Sequence, residues 1–122
     1  MIDRYIEKFQ ITQSTDYAKT KSVKKHNRAM DACRKIASQI QSDFPNLKEE
    51  FCKLLNSDIP ELSILVAHHM IEVMKYDDEH KAKALKIIYN KSKEDSVDGF
   101  GNKLWLNDYL KENPQDEKLI DL

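Results

Sequence analysis

The chain has 122 residues, 40% of them hydrophobic and 34% charged, with a formal net charge of −1. That length supports one modest core, the apolar fraction excludes a disordered chain, and the charge balance excludes a global pull toward nucleic acid or anionic lipid. Two glycines and three prolines are too few for the frequent turns of a many-stranded β fold.

Apolar residues recur at three and four almost throughout, which predicts helices. Ile2, Tyr5, Ile6 and Phe9 predict a first helix ending near Thr12, followed by a polar connector, Gln13-Ser14-Thr15-Asp16. A long helix is expected from Tyr17 or Thr20 to Ser42, with Val23, His26, Met30, Cys33, Ala37, Ile40 and Phe44 on one stripe. Pro45 ends it, because the residue before a proline avoids the α region.

Asn46 and Glu49 have the spacing of a capping box and predict a third helix burying Leu47, Phe51, Leu54 and Leu55. Ser57 or Asp58 is the expected cap of a fourth helix, with Pro60 in its first turn. Its run from Leu62 to Met74 is apolar on most sides, which marks it as central. After Tyr76-Asp77-Asp78, a fifth helix runs from Glu79 to about Lys93 and buries Ala82, Leu85, Ile88 and Tyr89.

Ser96 or Asp98 is expected to start a sixth helix, in which Phe100, Leu104, Trp105, Tyr109 and Leu110 recur at helical spacing. Gly99 and Gly101 near its start predict a loose first turn or a close backbone contact. Asn113-Pro114 stops it, and Leu119, Ile120 and Leu122 form an expected docking clip in a charged tail. The expectation is one domain over 1–122, with 1–16 its N-terminal helix and connector and 113–122 its tail.

No segment approaches the 18 or so consecutive apolar residues of a membrane span, and the acidic start Met1-Ile2-Asp3-Arg4-Tyr5-Ile6-Glu7 is unlike a signal peptide. A cytoplasmic location without membrane association is the resulting expectation. Cys33 and Cys52 belong to no CxxC pair and read as buried reduced thiols. No Gly-x-Ser-x-Gly elbow, Walker loop, His-Glu-x-x-His motif or dinucleotide fingerprint occurs, so no catalytic residues are expected.

Three segments carry a family likeness: Asn27-Arg28-Ala29-Met30-Asp31 with Ile36 and Ile40; Leu54-Leu55, Ser57-Asp58-Ile59-Pro60-Glu61-Leu62 and Val66-Ala67; and Ala82, Leu85, Ile88 with Gly99-Phe100-Gly101-Asn102-Lys103-Leu104-Trp105. Together, over roughly residues 20 to 112, they resemble small bacterial HEAT-like proteins often encoded as immunity proteins of polymorphic toxin systems. Two positions depart from that pattern: Ser63 and Ile64 stand where arginine usually follows the Pro-Glu turn, and the usual double alanine is Ala67-His68. The resemblance implies an all-α, compact α-solenoid of five to six antiparallel helices that binds and blocks a cognate toxin. It transfers no residue roles, because the family's binding surfaces have no fixed motif.

Site residues therefore come from the chemistry of the chain. Asp77, Asp78 and Glu79 complement a helix N-terminus and, with Glu94 and Asp95 at the following turn, form a candidate acidic patch for a basic protein partner. Lys21, Lys24, Lys25 and Arg28 give an alternative basic patch for nucleic acid. The stretch lacks interleaved aromatics, and the whole chain is faintly acidic, so nucleic acid is the lesser reading; a regulatory adaptor is a third. His68 and His69 point about 100° apart on a helix and do not chelate one metal, while Glu72 is placed to bond His68. Trp105 and Tyr109, one turn apart, read as core. No cofactor or metal is expected.

Overall fold

The computed structural model describes residues 1–121. Among them the secondary structure is helical, without strands. Seven α-helices occur: α1 (Ile2–Thr12), α2 (Thr20–Asp43), α3 (Lys48–Cys52), α4 (Pro60–Glu72), α5 (Asp78–Ser92), α6 (Val97–Glu112) and α7 (Glu117–Ile120). The count exceeds the expected five or six because α7 forms in the tail, where Pro114 opens a 3₁₀ turn that runs into it.

Residues expected to form one domain group into two compact units, Met1–Phe51 and Cys52–Leu122, with the boundary inside α3. In the first unit α1 packs on α2. Tyr5 and Phe9 of α1 and Cys33, Ile36, Ala37 and Ile40 of α2 are buried, and Tyr5 meets Phe51 edge-on at 4.9 Å between ring centroids. Burial alone pushes the Cys33 thiol up to about 11, and its Sγ–H lies 3.5 Å from the Tyr5 carbonyl that accepts it.

The third predicted helix is broken. A 3₁₀ turn, Pro45–Leu47, precedes α3, and another, Lys53–Asn56, follows it. Pro45 at the first helical position moves the cap to Phe44, so Asn46 sits inside the turn and caps nothing. Phe51 and Leu55 still bury, one turn apart. A parallel correction applies at α4. Pro60 holds Ile59 extended, at φ −98° and ψ 105°, which makes Ile59 the cap residue without a side-chain bond. Ser57 instead accepts the Ile59 N–H at 3.1 Å, and its carbonyl accepts the Ser63 hydroxyl.

In the second unit α5, rather than α4, is the element on which α4, α6 and α7 all pack. Ala84, Leu85 and Ile88 of α5, Val66, Ala67 and Met70 of α4, Leu106 of α6 and Leu119 of α7 are buried there. Leu119 fulfils part of the expected clip; Ile120 is half-buried, and Leu122 lies outside the described residues.

Candidate functional site

Helix α6 is anchored from its first turn. Ser96 caps it by accepting the Gly99 N–H at 2.9 Å. Gly99 is buried, and a Cβ there would lie 2.1 Å from the Glu94 carbonyl oxygen and 3.0 Å from that of Lys91. The glycine lets the start of α6 rest on the end of α5; of the two readings of this pair, a loose first turn or a close backbone contact, Gly99 realises the second. At Gly101 the finding is the reverse: an added Cβ would meet nothing within 4 Å.

The inward face of α6 is carried by Gly99 and Leu106, with Leu110 half-buried. Phe100 and Leu104, grouped in the sequence with Trp105, Tyr109 and Leu110, point away from it. Val97, Phe100 and Leu104 are 88%, 61% and 50% exposed. They follow one another at three and four residues and bracket Gly101, so the first two turns of α6 present a continuous apolar face to solvent. Single exposed apolar side chains are ordinary, whereas an aligned set around an unneeded glycine is not.

Trp105 and Tyr109 occupy the flank between these faces and are half-buried. Their rings stack at 5.2 Å and 6°, and His68 meets Trp105 edge-on at 4.5 Å. His68 Nε2 lies 2.6 Å from Asn102 Oδ1, while the indole N–H of Trp105 donates to Glu72 Oε1 at 3.1 Å. The anticipated His68–Glu72 bond is thus replaced by two bonds that tie α4 to α6. Tyr109 donates its hydroxyl to Asp116 Oδ2, and Lys81 Nζ approaches the same oxygen at 3.4 Å. Burial, and then the bond to Asp116, hold the Tyr109 hydroxyl well above the usual tyrosine range. Each of these groups is occupied in joining α4, α5, α6 and the tail, so the cluster ties down the helix that bears the apolar face.

The candidate acidic patch is divided. Asp77 caps α5, accepting the His80 N–H at 2.9 Å, with His80 Nδ1 2.6 Å from the same oxygen. These bonds, the backbone one first, hold its carboxyl below the ordinary aspartate range. Asp78 and Glu79 are exposed in the first turn. Glu94 and Asp95 follow the other end of α5, which at 15 residues spans about 21 Å. They join Asp98, in the first turn of α6, beside Val97. Glu94 is paired with Lys91 at 2.6 Å, a bond that raises the Lys91 pKa; Asp95 and Asp98 are exposed.

Lys21, Lys24, Lys25 and Arg28 are all exposed on α2. Among the described residues no group of three or more His, Cys, Asp and Glu is disposed to hold a metal ion, and no helix is long and apolar enough to cross a membrane. A groove is lined by Tyr89, Ser92, Lys93, Lys103, Leu110 and Glu117, among others, and the Ser92 hydroxyl in it donates to the Tyr89 carbonyl. No protein-family model, curated protein or solved structure matches this chain.

Proposed function

We propose that the protein is a protein-binding module that docks a basic partner on the outward face of α6, and concretely an immunity protein that blocks a cognate toxin in the cytoplasm. The observation that carries this reading is the aligned exposure of Val97, Phe100 and Leu104 around Gly101. Apolar anchors with an aromatic at their centre are what interface cores consist of. Glu94, Asp95 and Asp98 lie within three residues of Val97 along the chain and favour a partner with a cationic surface, as toxins acting on nucleic acid have. The unit that bears the face has ten basic against fourteen acidic side chains, which adds long-range steering of the same sign.

The mechanism is occupancy. A face on a helix tied down by the Trp105–Tyr109–Asp116 cluster is ordered before docking, so little conformational entropy is lost in the complex. In this reading the successive helices form a HEAT-like α-solenoid, the arrangement expected of an immunity protein of this kind.

The test is capture from the native cells, followed by a growth assay. The tagged protein should bring down one near-stoichiometric partner that arrests growth when expressed alone and is silenced by co-expression. Recovery of a harmless partner removes the immunity reading and leaves an adaptor; recovery of no partner removes protein docking itself.

A further inference from the structure

The second unit holds a groove on a face of α6 other than the outward one. It opens between the end of α5, α6 and α7 with a volume of about 530 Å³, a size usual for small-molecule sites. Lys103, Leu106, Asn107 and Leu110 line it from α6; they recur at three and four residues and so share one stripe. Around the helix that stripe lies about 100° from the one formed by Val97, Phe100 and Leu104.

The two ends of the groove differ in charge. Gly99 rests on the carbonyls of Lys91 and Glu94, which fixes the joint of α5 and α6. Lys93 is the C-cap of α5 and Lys103 stands one turn beyond Gly99, so both cations lie at the joint end. At the other end Asp116 accepts the Tyr109 hydroxyl, which sets Glu117 at the Leu110 end. Lys103 and Leu110 are seven residues apart on α6, about 10 Å. Among the described residues no side-chain hydrogen bond or ion pair engages Lys103, Asn107, Glu117 or Asp121. Lys93 Nζ is held 4.1 Å from the centre of the Tyr89 ring. Opposite charges thus flank one groove without meeting across it.

The lining between those ends is apolar: Leu106 is buried, and Leu110 and Ile120 are half-buried. A complementary ligand carries an anion at one end, a cation about 10 Å away and an apolar group between. An extended chain advances about 3.3–3.6 Å per residue, so three residues with free termini span that distance. The α-carboxylate then meets Lys93 and Lys103, the α-ammonium meets Glu117, and the middle side chain lies on the leucines and Ile120. Asn107 and Asp121 are left to bond the peptide's own C=O and N–H groups. A free amino acid is too short to reach both ends, and a nucleotide brings no cation for Glu117.

We infer that the groove between α5, α6 and α7 binds a short peptide with free termini and an apolar middle residue, its carboxylate on Lys93 and Lys103 and its ammonium on Glu117. This is a second site, independent of docking at the outward face of α6. The experiment titrates the isotope-labelled full-length protein with the tripeptide Ala-Leu-Ala and follows backbone amide shifts by NMR. Saturable shifts are expected at the end of α5, along Lys103 to Leu110 and in α7, with a Kd of about 1 mM or tighter. The dipeptide Ala-Leu, and the tripeptide N-acetylated or C-amidated, should each bind about tenfold more weakly.

The variant K93E/K103E should lose the peptide, whereas K24E/K25E, an equal change of net charge on the first unit, should bind as the wild type does. Glu117→Gln should weaken the free tripeptide about tenfold and leave the N-acetylated form bound as in the wild type, the sign that carboxylate and ammonium meet. Lys93, Lys103 and Glu117 are exposed, so helical circular dichroism should be unchanged in these variants. Absence of shifts at about 10 mM peptide overturns the inference, as do shifts confined to other helices. Equal binding by a tripeptide blocked at either end overturns it too, because the charge at that end would then recognise nothing.

Discussion

Glycines 99 and 101 sit two residues apart in one helix, neither with positive φ, and the same substitution at each should act with opposite sign. At Gly99 a Cβ would stand 2.1 Å from the Glu94 carbonyl oxygen, about 1.3 Å inside ordinary contact at 3.4 Å, and 2.9 and 3.0 Å from two further backbone atoms. Backbone does not swing aside, so the α5–α6 joint must open. Overpacking of this kind costs about 1–3 kcal/mol, and a clash with backbone lies at the upper end. Against it stands a gain of about 1 kcal/mol in helix propensity. Gly99→Ala should therefore destabilise by about 2 kcal/mol, or about 6–10 °C in Tm for a chain of this size.

At Gly101 there is no clash and only the propensity gain, so Gly101→Ala should raise Tm by about 3–5 °C. Thermal melts followed by circular dichroism at 222 nm read both. A neutral or stabilising Gly99→Ala would refute the role given to that glycine. The Gly101 variant has a further consequence: a methyl on the docking face should weaken partner binding while the free protein becomes more stable. A protein stabilised by the change that harms its complex is keeping the glycine for something outside itself.

Three other outcomes follow from the second unit and the core. Tyr109→Phe removes the hydroxyl that Asp116, only 4% exposed, accepts, and should cost about 1.5–3 kcal/mol by denaturant unfolding. Tyr5 and Tyr109 are both held above the usual range, chiefly by burial. They stay protonated when folded and ionise when unfolded, so stability should be intact below pH 10 and fall as pH rises beyond it; absorbance at 295 nm should show Tyr5 and Tyr109 ionising only with unfolding. Asp77 has the opposite sign: its lowered pKa supports the fold above the ordinary aspartate value, and that support should fade as pH falls below about 4, a loss absent from Asp77→Asn.

Elements whose boundaries depend on local chemistry were legible in the sequence. The end of α1 at Thr12, the stop of α2 before Pro45, the Ser96 cap of α6 and its end at Asn113 all follow from periodicity, capping and proline. Failures came where two local signals competed. Asn46 with Glu49 has the spacing of a capping box, yet Pro45 fixes the turn first; Ser57 and Asp58 are good caps, yet Pro60 gives the position to Ile59. The docking face was hidden for a different reason. Helix α6 has apolar residues on both sides, and periodicity reveals that a helix is amphipathic only when one side is polar. Gly99 supplied the signal that was available: a buried glycine at the third helical position orients the helix, and Phe100 and Leu104 then face outward.

The division of the acidic residues offers an internal control. Reversing Glu94 and Asp95 should weaken the complex, whereas reversing Asp78 and Glu79, about 21 Å away along α5, should not. The most direct test of the docking surface pairs the wild type with F100D/L104E. Both side chains are half or more exposed, so the variant should retain its helical signal and Tm. In parallel captures from native cells, quantified by mass spectrometry, the wild type should retain its near-stoichiometric partner and the variant should lose it. Equal recovery by a folded variant would show that α6 is not the surface through which this protein acts.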